Sequence, residues 1–197
     1  MTLADRTIGE FLENVASNEV TPSGGAVAGI SGAMGAALCE MVCIHTLGTE
    51  EHADVADEMT DCRDTLAASR RRLLELADDD VRAVDRVQTA FESGDSDRIQ
   101  KAAKRSTMVP IETAEICLDV VDAAVTVTAK GTQVAVPDAV VGALLAHAAL
   151  EGSVSTVHAN LATIEDPEFV TEMERRAAEM EVAAEEALSQ VRANRNW

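Results

Sequence analysis

The chain has 197 residues, which fits one domain over residues 1–197 and is long enough to bury a hydrophobic core. It carries 35 acidic against 16 basic side chains, a formal net charge of −19, and so excludes nucleic-acid binding and attachment to anionic membranes. Aromatic residues make up only 2% of the sequence, so small aliphatic side chains must fill the core. Because each buries little area, we expect identical subunits to bury helix faces against each other in a homodimer.

The excess of carboxylates has two interpretations. One is an ordinary acidic protein, and the other is adaptation to a salt-saturated cytoplasm, where salt screens the repulsion between surface carboxylates. Lysine is scarce while Asp and Ala are abundant, which favours the halophilic interpretation. No apolar signal peptide follows Met1. Glu40 and His45 interrupt the apolar stretch 24–39 before it reaches the roughly 18 to 20 residues of a membrane span, and we expect a cytoplasmic protein.

Hydrophobic periodicity predicts helices along the whole chain. Their approximate bounds are residues 8–15, 26–47, 52–91, 97–130, 137–161 and 167–195. Thr7 and Glu10 match a capping box at the first start, and Asp166-Pro167 is an N-cap followed by proline at the last. Pro110 should kink or divide the fourth helix. We therefore predict an all-α, single-domain, up-and-down bundle of long helices.

The first candidate site is the glycine-rich segment Thr21-Pro22-Ser23-Gly24-Gly25, which precedes the helix of small residues. Glycines before a helix allow tight turns and bring backbone N–H groups toward a ligand. Close packing is the alternative, because Gly25, Gly29 and Gly32 share one helical face. The segment is neither a P-loop nor a dinucleotide fingerprint, since no Gly-Lys-Ser/Thr follows and no strand precedes it.

Acidic residues supply two further candidates. Asp78-Asp79-Asp80 follows an apolar run, and on a helix the three carboxylates fan out over about 200°, so at most two face inward. A carboxylate in an apolar pocket would have a raised pKa and could act as a general base, while a solvated charge run is the alternative. Asp138 stands in a predicted first helical turn, where an acid normally serves the helix dipole.

The sequence predicts neither a metal site nor a serine nucleophile. No two histidines have metal-ligand spacing, and Cys39 with Cys43 lacks the two further ligands that zinc needs. Ser23 does not stand in a nucleophile elbow. The cysteines are expected to be free and buried; they are Cys39, Cys43, Cys62 and Cys117.

Several motifs occur in a familiar order. They are Ile8-Gly9-Glu10-Phe11-Leu12, Thr21 to Val27 with its Thr-Pro-x-Gly-Gly-x-Val pattern, Leu76 with Asp80 and Ala83, Val109-Pro110, Gly131 with Asp138 and Ala139, and Ala149 to Gly152 with Asn160-Leu161. Together they resemble the cyclodeaminase domain of formiminotransferase-cyclodeaminase and its stand-alone relatives, the methenyltetrahydrofolate cyclohydrolases. The departures include Ser23 for a glycine, Ala26 for a serine, Thr132 for an asparagine and Pro137 for a serine.

The resemblance implies an all-helical homodimer that uses no metal or redox cofactor and acts on one-carbon tetrahydrofolates. It implies catalytic roles for Asp80, as the base that activates water, and for Asp138. It also implies substrate contacts; the residues concerned are Pro22, Gly24, Gly25, Lys104, Arg105 and Asn160. Lys101, Lys104 and Arg105 form the one basic patch, which would hold the anionic glutamate tail; pairing with nearby surface acids is the alternative.

The expected function is therefore that of a methenyltetrahydrofolate cyclohydrolase, which hydrolyses 5,10-methenyltetrahydrofolate to 10-formyltetrahydrofolate. The absence of a fused transferase domain favours it. Formiminotetrahydrofolate cyclodeaminase, which releases ammonia, is the alternative enzyme. A non-catalytic folate-binding or scaffold protein is the alternative outside enzymes, and the altered segment Gly131-Thr132 supports it.

Overall fold

Helices account for nearly all of the regular structure. The computed structural model describes residues 2–48 and 50–195, without the side chains of residues 50 and 51. Within these ranges there are six α-helices and no strand, which confirms the all-α prediction. The helices are α1 (Ile8–Val15), α2 (Gly24–Leu47), α3 (Ala56–Ser93), α4 (Ser96–Lys130), α5 (Val136–Leu161) and α6 (Pro167–Ala193). Short 3₁₀ segments occur at Leu3–Asp5 and Glu50–Val55.

The long helices run up and down, as predicted. Gly25 at the start of α2 faces Asp80 of α3, whereas Glu40 farther along α2 pairs with Arg70 at 2.7 Å, so α2 and α3 are antiparallel. A two-residue turn joins α3 to α4, and Gly94 adopts the left-handed conformation there with φ 66°. Gln100 near the start of α4 donates to the Thr163 carbonyl beyond α5 at 3.0 Å, which makes α4 and α5 antiparallel too.

Helix ends follow the predicted capping. The Thr7 hydroxyl accepts a hydrogen bond from the Glu10 N–H at 3.2 Å, and the Glu10 carboxylate accepts one from the Thr7 N–H at 2.8 Å. At α6, the Asp166 carboxylate accepts hydrogen bonds from two backbone N–H groups of the first turn. Local side chains therefore set these ends before any tertiary contact is made.

Small side chains let the central helices approach closely. A Cβ on Gly35 of α2 would lie 2.5 Å from the Gly142 carbonyl of α5, and a Cβ on Gly142 would lie 2.7 Å from the Gly35 carbonyl. Buried thiols occupy the same layer: burial raises the pKa of Cys39, Cys43 and Cys117 to about 12. These thiols stay protonated and serve as small apolar groups. Cys62 is also free but only partly buried.

Pro110 does not divide α4, which runs unbroken from Ser96 to Lys130. Proline has no N–H, so the carbonyl of Ser106, four residues earlier, loses its helical donor. The Asn160 side chain supplies the replacement, because its Nδ2 donates to the Ser106 oxygen at 3.2 Å. Asn160 is thereby tied to α4 as a structural donor, while its predicted contact with substrate stays a prediction.

We predict that Asn160→Ala lowers the free energy of unfolding by about 1–2 kcal/mol, because it leaves the Ser106 carbonyl without a donor. In a Pro110→Ala background the restored backbone N–H can serve that carbonyl, and the same substitution should cost measurably less. Urea denaturation of the four proteins of this double-mutant cycle measures the coupling. Equal costs in both backgrounds would contradict the assignment.

Among the described residues, two helices are long and apolar enough to cross a membrane by length and composition. They are α2, with a mean hydropathy of 1.8, and α5, with 1.4. Glu40 does not interrupt α2 enough to prevent this, contrary to the sequence-based expectation. About half of each apolar window is buried inside the bundle, as in the core helix of a soluble protein. The expectation that the protein does not bind membranes stays a prediction.

Candidate active site

The three consecutive acids of α3 have three different environments. Asp78 accepts a hydrogen bond from the Leu3 N–H at 2.9 Å, and Asp79 pairs with Arg82 at 2.8 Å. Only Asp80 is buried, with 6% of its surface exposed. The prediction that at most two of the three acids face inward is confirmed.

Asp80 faces the N-terminal end of α2, where a glycine makes room for it. A Cβ on Gly25 would lie 2.5 Å from the Asp80 Cγ and would overlap the carboxylate. The first turn of α2 contains no acidic residue, and its N-cap Ser23 makes no side-chain capping bond. The unsatisfied N–H groups and the positive end of the helix dipole are therefore directed at the Asp80 region.

One oxygen of this carboxylate has no partner. Asp80 Oδ2 is buried and makes no hydrogen bond to any described residue. Burial raises the pKa of Asp80, and its interaction with the Ala26 N–H only partly opposes that rise. A buried, unpaired carboxylate is costly in a folded protein, so its retention points to a ligand that is cationic or donates a hydrogen bond.

An apolar wall borders this carboxylate. Leu3 and Phe11 of the N-terminal segment pack against Ala26 of α2 and Ala77 of α3, one turn before Asp80. Val81 also packs against this cluster. The low polarity of these neighbours is the physical cause of the desolvation at Asp80.

The predicted substrate-binding residues of the glycine-rich segment lie at the same end of α2. Gly24 and Gly25 form its first turn, and Pro22 is buried directly before it. The structure therefore brings Pro22, Gly24 and Gly25 together with Asp80. Packing also applies to this helix face, as the alternative predicted: a Cβ on Gly29 would lie 3.0 Å from the Leu73 carbonyl of α3.

Asp138 lies far from Asp80 within the chain. It is exposed in the first turn of α5, next to Ala139, whose carbonyl is 3.6 Å from the Cys39 Sγ of α2. Cys39 is 14 residues beyond Gly25. At 1.5 Å per residue, these two points of α2 are about 20 Å apart along its axis. A single chain therefore does not combine the two acids in one site.

The basic patch is divided between two surfaces. Lys104 pairs with Asp166 at 2.6 Å, and its Nζ lies 5.5 Å from the centre of the Phe169 ring, so surface pairing describes this residue. Arg105 instead lines a groove between α3 and α4 together with Lys101. Sequence reasoning missed Arg86 and Arg98 of the same groove. The glycine turn at Gly94 could have indicated this groove from the sequence, because a tight turn there brings Arg86 at the end of α3 close to Arg98 at the start of α4.

No group of three or more His, Cys, Asp or Glu side chains could hold a metal ion within residues 2–48 and 50–195. The site itself combines a buried carboxylate, a helix N-terminus and an apolar wall.

Known proteins are similar to this chain in sequence and in the arrangement of their helices. The family model described as formiminotransferase-cyclodeaminase matches residues 7–179. The chain belongs to the formiminotransferase-cyclodeaminase family. It is 35% identical to a methenyltetrahydrofolate cyclohydrolase of Methylorubrum extorquens, over 93% of this chain and 91% of that protein.

Two further relatives carry the cyclodeaminase name. The crystal structure of formiminotetrahydrofolate cyclodeaminase from Thermotoga maritima superposes with a TM-score of 0.94 at 29% identity, covering 97% of this chain and 96% of that one. The formimidoyltransferase-cyclodeaminase of Sus scrofa is 25% identical over 91% of this chain but only 35% of its own length. The family resemblance in the sequence is therefore confirmed.

Gly25→Ala should destabilise the fold by about 1–3 kcal/mol, because the added methyl group would overlap the buried Asp80 carboxylate and force it or the first turn of α2 to shift. Gly24→Ala is the matched control, since its Cβ meets nothing within 4 Å. That variant should keep its free energy of unfolding within about 0.5 kcal/mol of the parent. Urea denaturation measures both, and equal stability of the two variants would show that Asp80 does not fill this space.

Proposed function

We propose that this protein is a methenyltetrahydrofolate cyclohydrolase, which hydrolyses 5,10-methenyltetrahydrofolate to 10-formyltetrahydrofolate in one-carbon metabolism. The observation that carries the proposal is the buried, unpartnered Oδ2 of Asp80 at the N-terminal end of α2. The Methylorubrum relative that bears this activity in its name supports it, because the similarity extends over nearly the whole of both chains.

The proposed substrate complements this carboxylate. The methenyl carbon bridges two nitrogens as an amidinium, so it is electrophilic and carries positive charge. A buried carboxylate in an apolar pocket attracts such a cation more strongly than a solvated one does. The cationic carbon would thus be held beside the group that activates the attacking water.

Water adds to the methenyl carbon while Asp80 accepts one of its protons. The tetrahedral intermediate then collapses: its hydroxyl releases the second water proton to solvent as the carbonyl forms, the bond from carbon to N5 breaks, and the first proton passes from Asp80 to N5. The formyl group stays on N10, and Asp80 returns to its carboxylate form. The raised pKa of Asp80 makes it a stronger base than a solvated carboxylate.

Cyclodeamination is the second candidate, and the close superposition on the Thermotoga cyclodeaminase favours it. In this reaction N10 of 5-formiminotetrahydrofolate attacks the formimino carbon, and ammonia leaves. Asp80 would receive and return the proton in the same place. Loss of the methenyl absorbance detects the first activity, and ammonia release from the formimino substrate detects the second.

Asp80→Asn should lower kcat for 5,10-methenyltetrahydrofolate by at least about 100-fold, because an amide cannot accept the proton from water. Asp79→Asn is the control, since Asp79 pairs with arginines outside the site. The change in methenyl absorbance, followed in mildly acidic buffer to keep spontaneous hydrolysis slow, measures the rate. Retained turnover in a folded Asp80→Asn protein would remove Asp80 from the mechanism.

The same substitution should stabilise the fold near neutral pH. The pKa of Asp80 is raised in the folded protein, so the folded state holds the proton more tightly than the unfolded chain. Stability from this group is therefore present at low pH and is lost as pH rises through the folded pKa. Asn carries no charge, and we expect a Tm higher by on the order of 2–4 °C at pH 7, with the gain vanishing below the usual carboxyl range. Thermal unfolding of Asp80→Asn at pH 7 and pH 4 checks the sign.

We also propose that the protein is a homodimer that pairs through the outer face of α2 and α5. This α2–α5 face is apolar and not covered within one protomer, with Met34 54% and Ile44 52% exposed. Its exposed members are Met34 and Ile44 of α2 with Val141 and Leu144 of α5, and Leu38 lies among them half-buried. A contiguous apolar surface of this kind is uncommon on a monomer.

Charge favours a second copy as its occupant. Copies of a chain with a net charge of −19 repel each other, so contact is least costly where carboxylates are absent. Glu40, the only charged residue of α2, turns away from the face to pair with Arg70. Asp138 precedes Val141 by one turn and lies at the end of this face, so dimerisation would bring it toward the partner subunit. A catalytic role for Asp138 would then act across the interface.

Met34→Glu should convert the dimer to a monomer, because two-fold pairing buries a new charge near the centre of the α2–α5 face. Val182→Glu is the control, since Val182 is 62% exposed on α6 outside that face. Sedimentation equilibrium in molar potassium chloride measures the mass of each protein. A monomeric parent, or a dimer that survives Met34→Glu, would contradict the proposed interface.

We further propose that the protein acts in a cytoplasm of high salt concentration. Its excess of acidic residues supports this proposal. Salt screens the mutual repulsion of exposed carboxylates, so the stability of this protein should increase with potassium chloride.

A further inference from the structure

The groove between α3 and α4 concentrates positive charge on a strongly acidic protein. It has a volume of about 520 Å³ and is open to solvent along one side. Arg86 of α3 and Arg98, Lys101 and Arg105 of α4 line it, and Asp85 is the one carboxylate among its lining residues. We call this surface the cationic groove.

These four cations differ from most others in the chain because they lack acidic partners. All sixteen Lys and Arg residues lie within the described part, and nine of them form ion pairs there. Four of the remaining seven line the cationic groove. With 35 acids available for pairing, such a concentration of unpaired cations indicates an anionic ligand.

Helix geometry places the groove directly beside the Asp80 site. Ala83, one turn after Asp80 on the same side of α3, is both a lining residue of the groove and a member of the small apolar cluster with Leu76 and Val109. Arg86 follows after six residues from Asp80, an axial distance of about 9 Å. Arg86 is also turned by about 120° around α3 from Asp80, and Asp80 itself does not line the groove, so a ligand bound at both places would pass over Ala83.

The lining also matches the intermediate part of such a ligand. The alanines Ala83, Ala90 and Ala102 form the floor, and the charged side chains stand around it. An aromatic spacer would contact the alanines, while carboxylates beyond it would meet the guanidinium groups, which bind carboxylates in two-pronged geometry.

We propose that the cationic groove binds the aminobenzoyl-glutamate part of the folate substrate, with Arg98 and Arg105 as the main carboxylate ligands. This proposal rests on the proposed function for the choice of substrate. The proposed tail-binding site thus differs from the basic patch predicted from the sequence. Lys104 is left out because it pairs with Asp166. Arg86 and Arg98 join Lys101 and Arg105 instead. The groove then determines affinity for the substrate, whereas Asp80 carries out the chemistry.

The test compares two double variants of equal net charge. Arg98→Gln with Arg105→Gln removes two cations of the groove, and Arg71→Gln with Arg195→Gln removes two unpaired, exposed cations elsewhere. The groove variant should raise KM for 5,10-methenyltetrahydrofolate about five- to tenfold with little change in kcat, and the control variant should leave KM unchanged. Molar potassium chloride reduces the Debye length to about 3 Å, so the assay reports direct contacts rather than overall charge.

A substrate with both glutamate carboxylates converted to amides gives the second comparison. The parent protein should bind it about as weakly as the groove variant binds the ordinary substrate, and the groove substitutions should not weaken it further. Equal KM values for the two substrates in the parent protein would overturn the proposal.

Direct binding separates this proposal from the proposed function. Free p-aminobenzoyl-glutamate lacks the reacting carbon, and titration calorimetry should show that it binds the parent protein and loses affinity about five- to tenfold in the groove variant. If p-aminobenzoyl-glutamate binds as expected but neither the methenyl nor the formimino substrate is turned over, the proposed function is wrong and the assignment of the groove is supported. If turnover occurs but neither KM nor this binding changes in the groove variant, the groove assignment is wrong and the proposed function stands.

Discussion

Close approach of α2 to its neighbours is the constraint on which the rest of the structure depends. Glycines of α2 contact α3 on one side, through Gly25 and Gly29, and α5 on another, through Gly35. A side chain at any of these positions would force the helices apart. The near absence of aromatic residues follows from the same constraint, because layers this close together have room for Ala, Val and Cys but not for rings.

The site is a direct consequence of this packing. Because Gly25 has no side chain, α3 can bring a carboxylate against the first turn of α2, and the same contact removes water from it. The result is a group that is unfavourable in the empty protein and favourable beside a cationic carbon. Strain of this kind, placed where a ligand relieves it, is a common way to couple binding to chemistry.

Positive charge is unevenly distributed over the molecule. Most cations neutralise nearby acids, while the cationic groove beside Asp80 keeps four of them free. The α2–α5 face is formed by apolar side chains, with the exposed Asp138 at its end. The Asp80 carboxylate lies at the N-terminal end of α2 and the cationic groove farther along α3, whereas the apolar α2–α5 face lies on the outer side of α2.

Pro110 illustrates how a local defect is repaired by tertiary contact. The sequence pattern predicts a kink or a break, because proline removes a helical hydrogen bond. Asn160, fifty residues later in the chain, donates to the carbonyl that the proline leaves free, and α4 continues. No rule based on nearby residues could have paired these two positions, and the same contact gives Asn160 a structural role that motif comparison alone does not indicate.

The sequence by itself determined the helices, their caps, the antiparallel order and the family, because each depends on residues within a few turns or on motifs in a row. The pattern of residues marked Asp78, Asp79 and Asp80 as candidates, and only the family resemblance pointed to Asp80 among them. Tertiary structure alone decided which side chains meet. It places Asp138 and Asp80 about 20 Å apart along α2. It pairs Lys104 with Asp166. It also brings Arg86, Arg98 and Arg105 together in one groove. The physical reason is that helix formation is governed by local hydrogen bonds and periodicity, whereas the register between helices is set by packing among residues far apart in the chain.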